Sequence, residues 1–216
     1  MTQGDASVEP AVLAVYRFEE ATPFADSSGN GYHAACAAGA CPSLTPDWTG
    51  AATGALFDGV DDLLTAGPNA AGPFTVMAWI RLDGAPEDLA CPINRPFAAN
   101  GANTYQICMA VPSKGVVRLF FYTTEQPRQL AVNMPMDVGA WHHVAIRWDG
   151  SRKVIFWDGL PAAGADGKTA FDETGIRLGS DLDGEVVVGL FHGALDELEI
   201  WRGALPETAI AAAAGG

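Results

Sequence analysis

Two short segments of the chain place carboxylates next to residues that belong in a protein core. In YRFEE (16–20) alternate side chains share one face of an extended chain, so Glu20 falls in line with the aromatic residues. In LDELEIW (195–201) the same alternation puts Asp196 in line with two aliphatic residues. If those apolar faces turn inward, both carboxylates point toward the rim of the core. Inward carboxylates repel each other and are costly to desolvate, so the pattern indicates a site where a cation or hydrogen-bond donors compensate them.

Calcium is the cation whose chemistry suits this pattern. Ca²⁺ prefers carboxylate and carbonyl oxygens, and the glycine-containing turn SSGNG (27–31) can offer backbone carbonyls at close range. The alternative is that the carboxylates cap turns, as Asp26 would by accepting hydrogen bonds from the backbone that follows it in an Asx-turn. The residues alone leave both interpretations open.

The four cysteines Cys36, Cys41, Cys91 and Cys108 allow three disulfide connectivities. The first two flank a loop of small residues and the last two flank a loop that ends in a strand-like run, so we favour the pairs Cys36–Cys41 and Cys91–Cys108. Disulfides indicate an oxidising compartment. The spacing matches no usual zinc motif, and free buried thiols are the alternative.

The composition and charge of the chain exclude several classes of protein. Of the 216 residues 49% are hydrophobic, which is enough for a sizeable core and excludes a disordered chain. There are 26 Asp and Glu against 12 Lys and Arg, a net charge of −14. Such a surface repels phosphate backbones and anionic lipid headgroups, so we expect binding neither to nucleic acid nor to a membrane surface. The sequence has no run of about 18 apolar residues, so we expect no membrane insertion. The chain starts with a polar stretch and no apolar signal segment, so either a signal peptide has been removed or the protein is cytosolic. The cysteines favour the first, a secreted or cell-surface protein whose signal peptide is absent from this chain.

Short β-like runs alternate with turn residues from residue 11 almost to the end, with a side-chain period of two. The segment 141–159, for example, contains two such runs joined at Asp149-Gly150-Ser151, which predicts a hairpin. The one good helix candidate is LPETAIAAAA (205–214), with Pro206 near its start and an acidic residue in its first turn.

Many strands without regular helix alternation predict an all-β fold, namely a two-sheet antiparallel sandwich with a short C-terminal helix. We expect residues 1–10 to form a disordered lead-in and residues 11–216 to form one domain. A single sandwich of this length is common.

Seven phrases of the sequence, in order, resemble the bacterial laminin-G-like jelly-roll family of the concanavalin A-like lectin/glucanase superfamily. They are YRFEE (16–20), DSSGNGYHA (26–34), ALFDGVDDLL (55–64), FTVMAWIRL (74–82), WHHVAIRWDG (141–150), VIFWDGLPA (154–162) and GALDELEIWRGALPETAI (193–210). Each phrase alone is weak evidence, but their common order and spacing are specific, and they cover about residues 11–211. The resemblance implies a jelly roll of two packed antiparallel sheets in which the first and last strands are adjacent.

The resemblance also implies a structural calcium where the two ends of the chain meet. Carried onto this sequence, its ligands are Glu20, Asn30 through its carbonyl, and Asp196, with Asp26 and Asp58 as secondary candidates. Such an ion would tie the termini together, so its removal would lower stability.

Glucanases share this superfamily, and glycoside hydrolysis needs two carboxylates that flank the bond. Fold relatives carry them on one strand as E-x-D-x-x-E or E-x-D-x-E. The nearest string here is DELE (196–199), which lacks the leading E-x-D. We interpret Glu197 and Glu199 as a solvated strand face and predict no catalytic residue. His142 and His143, in the family phrase WHHVA, are interpreted as packed side chains with satisfied imidazoles.

Lectin-like sheets bind sugars with aromatic faces and polar rims. The candidate outward aromatics are Phe120 and Tyr122, or alternatively Tyr105 and Trp157, although core packing is the favoured explanation for each of them. The loop NRPFAANGANTY (94–105) is a candidate for the edge of a binding site. We predict an extracytoplasmic recognition module that binds carbohydrate. A protein–protein adhesion domain with a cell-surface protein partner is the first alternative, and a polysaccharide-cleaving enzyme is the second.

Overall fold

A computed structural model of the protein describes residues 9–86, 88–97 and 102–215. Its elements, in chain order, are β1 Ala11–Tyr16, β2 Ser43–Pro46, β3 Thr53–Asp58, β4 Leu64–Ala66, β5 Phe74–Leu82, β6 Ala90–Phe97, β7 Ala102–Ser113, β8 Val116–Tyr122, β9 Gln129–Pro135, β10 Trp141–Trp148, β11 Arg152–Trp157, β12 Leu160–Asp166, β13 Ile176–Leu178, β14 Asp181–Asp183, β15 Val186–Val188, β16 His192–Arg202 and α1 Glu207–Ala213. Of the predicted lead-in over residues 1–10, residues 1–8 lie outside the described part of the chain.

Two large antiparallel sheets form a sandwich. The first has the order β12-β11-β10-β5-β16-β3-β2, and β1 also pairs with β16. The second has the order β4-β13-β6-β7-β8-β9, and β14 and β15 form a separate two-stranded sheet. The predicted all-β, two-sheet antiparallel jelly-roll sandwich with a short C-terminal helix is confirmed.

The N-terminal and C-terminal strands lie side by side, as the family resemblance implies. The register runs from Ala11 opposite Arg202 to Tyr16 opposite Leu198. Just beyond it, Arg17 Nη1 donates to Glu197 Oε1 at 3.0 Å. Residues after Tyr16 and residues before Leu198 are therefore brought to one place in the molecule.

The core lies between the two large sheets and is built by alternate residues of each strand. Val76 and Ile80 of β5 meet Ile107 of β7 and Phe121 of β8, and all four are at most 1% exposed. Burial of each such side chain contributes on the order of 2 kcal/mol. The residues between them along each strand face outward, and these outward faces carry the polar chemistry described below.

Helix α1 packs on the outward face of the first sheet. Ile210 is fully buried there in a small apolar cluster with Met77 and Phe156. The prediction of a helix over 205–214 is confirmed as Glu207–Ala213, with Pro206 at its N-cap. No helix among the described residues is both long enough and apolar enough to span a membrane.

Local turn chemistry and disulfides fix the connections. Asp149 Oδ1 accepts hydrogen bonds from the backbone N–H groups of Ser151 (2.9 Å) and Arg152 (2.8 Å), which closes the predicted β10–β11 hairpin. The structure contains the disulfides Cys36–Cys41 and Cys91–Cys108, the pairing that the loops favoured.

Candidate functional site

Asp26 is held by hydrogen bonds from protein donors. Its Oδ1 accepts from Val15 N (3.0 Å) and Ser28 N (2.8 Å), and its Oδ2 accepts from Ser28 Oγ (2.9 Å) and Tyr32 N (3.0 Å). Burial opposes ionisation of this carboxyl, but these donors hold its pKa below the usual value. Asp26 therefore ties the turn after β1 to the strand, as the Asx-turn alternative predicts.

The predicted inward pair of Glu20 and Asp196 is wrong because both segments depart from regular strand geometry. After β1 the chain takes a φ of 53° at Phe18, and Glu20 is exposed. In β16 a bulge at Glu197, with φ of 44°, shifts the register between Asp196 and Glu199. Asp196 therefore lies on the outward face opposite Trp79, while the leucine after the bulge faces the core.

The carboxylates predicted to bind calcium do not converge on one point. Among the described residues, the only group of three potential ligands whose atoms lie within 4.8 Å of one another is Asp58, Asp61 and Asp62. Glu20, Asp26 and Asp196 therefore form no such group. Asn30 is exposed, and its side-chain amide donates to carbonyls of β1 at 3.1 and 3.0 Å. Glu20, Asp26 and Asp196 thus offer no cluster of carboxylates for the predicted calcium, whereas Asp58 with its two neighbours offers oxygens at the right spacing.

The two histidines differ. His142 Nδ1 lies 2.9 Å from Asp158 Oδ2, and its ring stacks on Trp157 at 4.3 Å, so the predicted satisfied imidazole is confirmed there. His143 is 2% exposed, and its Nδ1 has no hydrogen-bond partner. The prediction is therefore wrong for that ring nitrogen.

Glu197 and Glu199 were predicted to form a solvated strand face. Both are half-buried, so the face that they form is only partly solvated.

A row of polar side chains crosses the outward face of the second sheet. Arg177 on β13 is opposite Asn94 on β6, which is opposite Gln106 on β7, then Tyr122 on β8 and Gln129 on β9. Their neighbours along each strand pack in the core, so this row faces away from it. Strands about 4.8 Å apart give the row a length of roughly 19 Å.

Several atoms of this row are buried without a hydrogen-bond partner. Asn94, Gln106 and the adjacent Asn103 are 0%, 3% and 8% exposed. Asn103 Nδ2 donates to Gln106 Oε1 at 3.0 Å, which leaves an acceptor at Asn103 Oδ1 and a donor at Gln106 Nε2. Asn94 Oδ1 and Arg177 Nε are also buried without a partner. Buried amide groups are costly unless they are hydrogen-bonded, so this face is built for polar contacts.

One end of the row opens into a groove of about 440 Å³, here called the amide groove. Its side chains that can hydrogen-bond include Asn103, Tyr122, Gln126, Arg128 and Gln129. Amides supply donors and acceptors together, and a sugar hydroxyl needs both. The arrangement therefore suits a ligand rich in hydroxyl groups.

A buried lysine fixes the wall of the amide groove. Lys153 of β11 is fully buried, and its Nζ donates to Thr123 Oγ1 (3.1 Å) and to the carbonyls of Pro127 (2.6 Å) and Arg128 (3.2 Å). Burial lowers the pKa of Lys153 to about 8. The β8–β9 loop is thus tied to the first sheet, which preorganises the groove.

An apolar strip runs beside the polar row. The Cys91–Cys108 disulfide and Phe120 form a small cluster there, and Phe120 stacks on Tyr122 with ring centroids 5.7 Å apart. Phe120 and Tyr122 therefore face outward, as the alternation of β8 allowed. The alternative aromatics, Tyr105 and Trp157, are in the core, so they present no ring to a ligand.

The predicted binding-edge loop over 94–105 is shorter than expected. Residues up to Phe97 belong to β6 and those from Ala102 belong to β7, while 98–101 lie outside the described residues. The polar residues Asn94 and Asn103 lie in strands and not in a loop. A bulge between Arg95 and Pro96 brings the side chain of Asn103 toward Gln106. The alternation of polar with apolar residues along β6 could have located Asn94, but not Asn103, whose face is set by the bulge.

Comparison with known proteins supports the fold. The profile of the Concanavalin A-like lectin/glucanases superfamily (Laminin_G_3) matches residues 57–211, which is more than half of the chain. A search of curated protein sequences found no match.

Several solved structures share the architecture at low identity. Domain 4 of AbnA, a GH43 extracellular arabinanase from Geobacillus stearothermophilus in complex with arabinotriose, has a TM-score of 0.69 at 17% identity, covering 96% of this chain and 100% of that chain. The native heptameric SAP-like pentraxin from Limulus polyphemus has a TM-score of 0.63 at 19% identity, covering 74% and 80%. The binding domain of Paraclostridial Mosquitocidal Protein 1 has a TM-score of 0.69 at 12% identity, covering 94% of this chain and 51% of that one.

At these identities the solved structures establish the fold alone, while the profile match over more than half of the sequence establishes the family. Two packed antiparallel sheets, adjacent terminal strands and one short helix agree with that match. The chain belongs to the concanavalin A-like lectin/glucanase superfamily, in its laminin-G-like branch.

Proposed function

We propose that this domain is an extracytoplasmic carbohydrate-binding module whose ligand is a neutral oligosaccharide bound in the amide groove. The observation that supports this most directly is the unpaired buried acceptor on Asn103, which lines the groove and is bonded to Gln106, whose Nε2 is a buried donor without a partner. Sugar hydroxyls both donate and accept, so they can satisfy groups of either kind. The apolar C–H face of a sugar ring can also pack against Tyr122.

The similar structures support a carbohydrate ligand by analogy. The arabinanase domain is described in complex with arabinotriose, and a study of botulinum neurotoxin type C describes an interaction with ganglioside molecules. Because one fold hosts many functions, these likenesses favour a glycan without naming it. The two disulfides favour an oxidising, extracytoplasmic location.

A glycan array of neutral and acidic oligosaccharides, including arabinotriose, followed by calorimetric titration of the best ligand, tests the proposal. We expect Asn103→Ala to lower affinity about tenfold or more, since it removes a buried acceptor, and Gln129→Ala to lower it less. Asn133→Ala is the matched control, because Asn133 is exposed on β9 and does not line the groove. Absence of neutral glycan binding, or equal affinities for all three variants, would contradict the proposal.

Two other functions have specific support and separate tests. A protein partner is favoured by Val186, Val187 and Val188 of β15, which are 63%, 41% and 37% exposed. In that case Val186→Lys would abolish attachment to cells stripped of glycans.

A hydrolytic function would require that the domain releases reducing ends from a β-glucan and that this activity disappears in Glu197→Gln. The carboxylate of Glu197 is already paired with Arg17 at 3.0 Å.

A further inference from the structure

A second groove, of about 290 Å³, lies on the outward face of the first sheet, on the sheet opposite the amide groove. It is bounded by the segment after β1, the β2–β3 turn, β5, β10 and β16. Its chemistry comes from two indole rings and four carboxylates: Trp48, Trp79, Glu19, Asp47, Glu197 and Glu199. We call it the acidic groove.

The aromatic wall of the acidic groove is rigid. Trp48 lies parallel to Trp79, with centroids 4.2 Å apart and planes 4° apart, yet Trp48 remains 37% exposed. The turn that presents Trp48 is fixed by Asp47, which accepts hydrogen bonds from Thr49 Oγ1 (2.9 Å) and Ala51 N (3.0 Å). An indole held face-on at a groove is a surface for binding an apolar or cationic group.

The charge of the acidic groove is strongly negative. Among the described residues that line it, Arg17 is the one permanent cation, and it is paired with Glu197 at 3.0 Å. Behind the groove lies Asp196, 2% exposed, whose Oδ1 has no hydrogen-bond partner. Burial and the negative charges of Glu197, Asp47 and Glu19 raise the pKa of Asp196 to about 7. A groove with this surplus repels anions and attracts cations.

A buried, unpartnered nitrogen on a residue that lines this groove gives independent evidence for a ligand. His143 lines the groove, is 2% exposed, and has an Nδ1 without a partner. Burial lowers its pKa to about 4, so the ring is neutral at physiological pH, and in the tautomer protonated at Nε2 its Nδ1 accepts a hydrogen bond. Its edge also packs against Trp79 at 5.6 Å. The groove thus combines acceptors and indole faces, with no uncommitted cation among its described lining residues.

We propose that the acidic groove binds a protonated amine carried on an apolar carbon framework, the chemistry shared by a lysine side chain and an amino sugar. The carbon framework packs on Trp48, and the ammonium group donates to the carboxylates and to His143. A bare metal ion is a poorer match, because these carboxylates form no group of three within 4.8 Å of one another. The proposal does not depend on the amide groove.

Calorimetric titration with four probes tests this proposal. N-acetyl-lysine methylamide and glucosamine represent the two sources of the amine, while N-acetyl-norleucine methylamide and glucose are their uncharged counterparts. We expect at least one amine to bind about tenfold more tightly than its uncharged counterpart, and the tighter amine identifies the source. Raising the ionic strength from about 0.01 to about 0.5 M should weaken that binding, because the attraction is electrostatic. Failure of both amines to bind below about 10 mM, or equal binding of charged and uncharged probes, overturns the proposal.

Variants locate the binding. Trp48→Ala should weaken the amine about fivefold, and Glu19→Gln, at an exposed position that folding tolerates, about threefold. Glu185→Gln is the control, because it removes the same charge from an exposed turn that does not line the groove. Equal effects of Glu19→Gln and Glu185→Gln would show general charge attraction and overturn the site. Unchanged neutral glycan binding by Trp48→Ala separates this site from the amide groove.

Discussion

The bulge at Glu197 places the Asp196 carboxyl on the outward face of the first sheet. Asp196 is nevertheless buried there, next to other acidic residues, and this environment controls its ionisation. Its pKa is raised from 3.8 to about 7, so the folded state holds a proton that the unfolded chain has lost between those pH values. The stability gained from this proton is complete below about pH 4 and is lost as pH rises through about 7.

Asp196→Asn should therefore change the pH dependence of folding. The variant removes the ionisable group while keeping its shape, so we expect it to be more stable than the wild type at pH 8, by at most about 4 kcal/mol, and close to it at pH 4. Thermal unfolding across pH 4 to 8 measures this. Asp183→Asn, at an exposed position, is the control. Parallel stability curves for the wild type and Asp196→Asn would show that Asp196 ionises normally.

For single residues, the sequence predicted the direction of some side chains and not of others. Alternation predicted correctly that Phe120 and Tyr122 face away from Phe121. The same rule failed at Asp196, because a backbone at φ of 44° on Glu197 has no sequence signal comparable to a glycine. The stacking of Trp48 on Trp79 was also missed, since it joins a turn to a distant strand and depends on the three-dimensional pairing.

At the level of elements, Lys153 connects the two sheets by holding the β8–β9 loop from β11. Lys153→Met keeps a chain of similar length but removes all three hydrogen bonds. We expect faster amide hydrogen exchange in the loop, by about tenfold, and weaker binding of neutral oligosaccharide in the amide groove, because the groove wall is no longer preorganised.

The control for this change is Arg152→Met, the preceding residue of β11, whose side chain is exposed. Hydrogen exchange followed by mass spectrometry on both variants separates loss of the loop contacts from a general effect on the strand. If loop exchange and glycan affinity in Lys153→Met match those of Arg152→Met, Lys153 has no role in shaping the groove.

At the scale of the whole molecule, the strand pattern and the ordered family phrases predicted the architecture, because a sandwich needs only alternation and turns at suitable intervals. The two grooves could not be predicted in this way. The amide groove depends on register across β6 to β9, and bulges change that register at Asn103 and elsewhere. The acidic groove depends on contacts between both ends of the chain. Each groove therefore arises from long-range pairing that single segments do not encode.

The structural calcium remains a prediction from the family resemblance, and of its five candidate ligands Asp58 is the one that lies in a group of three acids, with Asp61 and Asp62, among the described residues. Burial and the charges of Asp58 and Asp61 raise the pKa of Asp62, so a cation there would relieve a repulsion in a chain of net charge −14. We expect EDTA to lower the melting temperature in calcium-free buffer and excess Ca²⁺ to restore it. Asp61→Asn should abolish that response, whereas Asp137→Asn, which removes the same charge from an exposed position, should retain it. A melting temperature that is indifferent to EDTA, together with a more stable Asp61→Asn, would show that the three acids only repel one another and hold no ion.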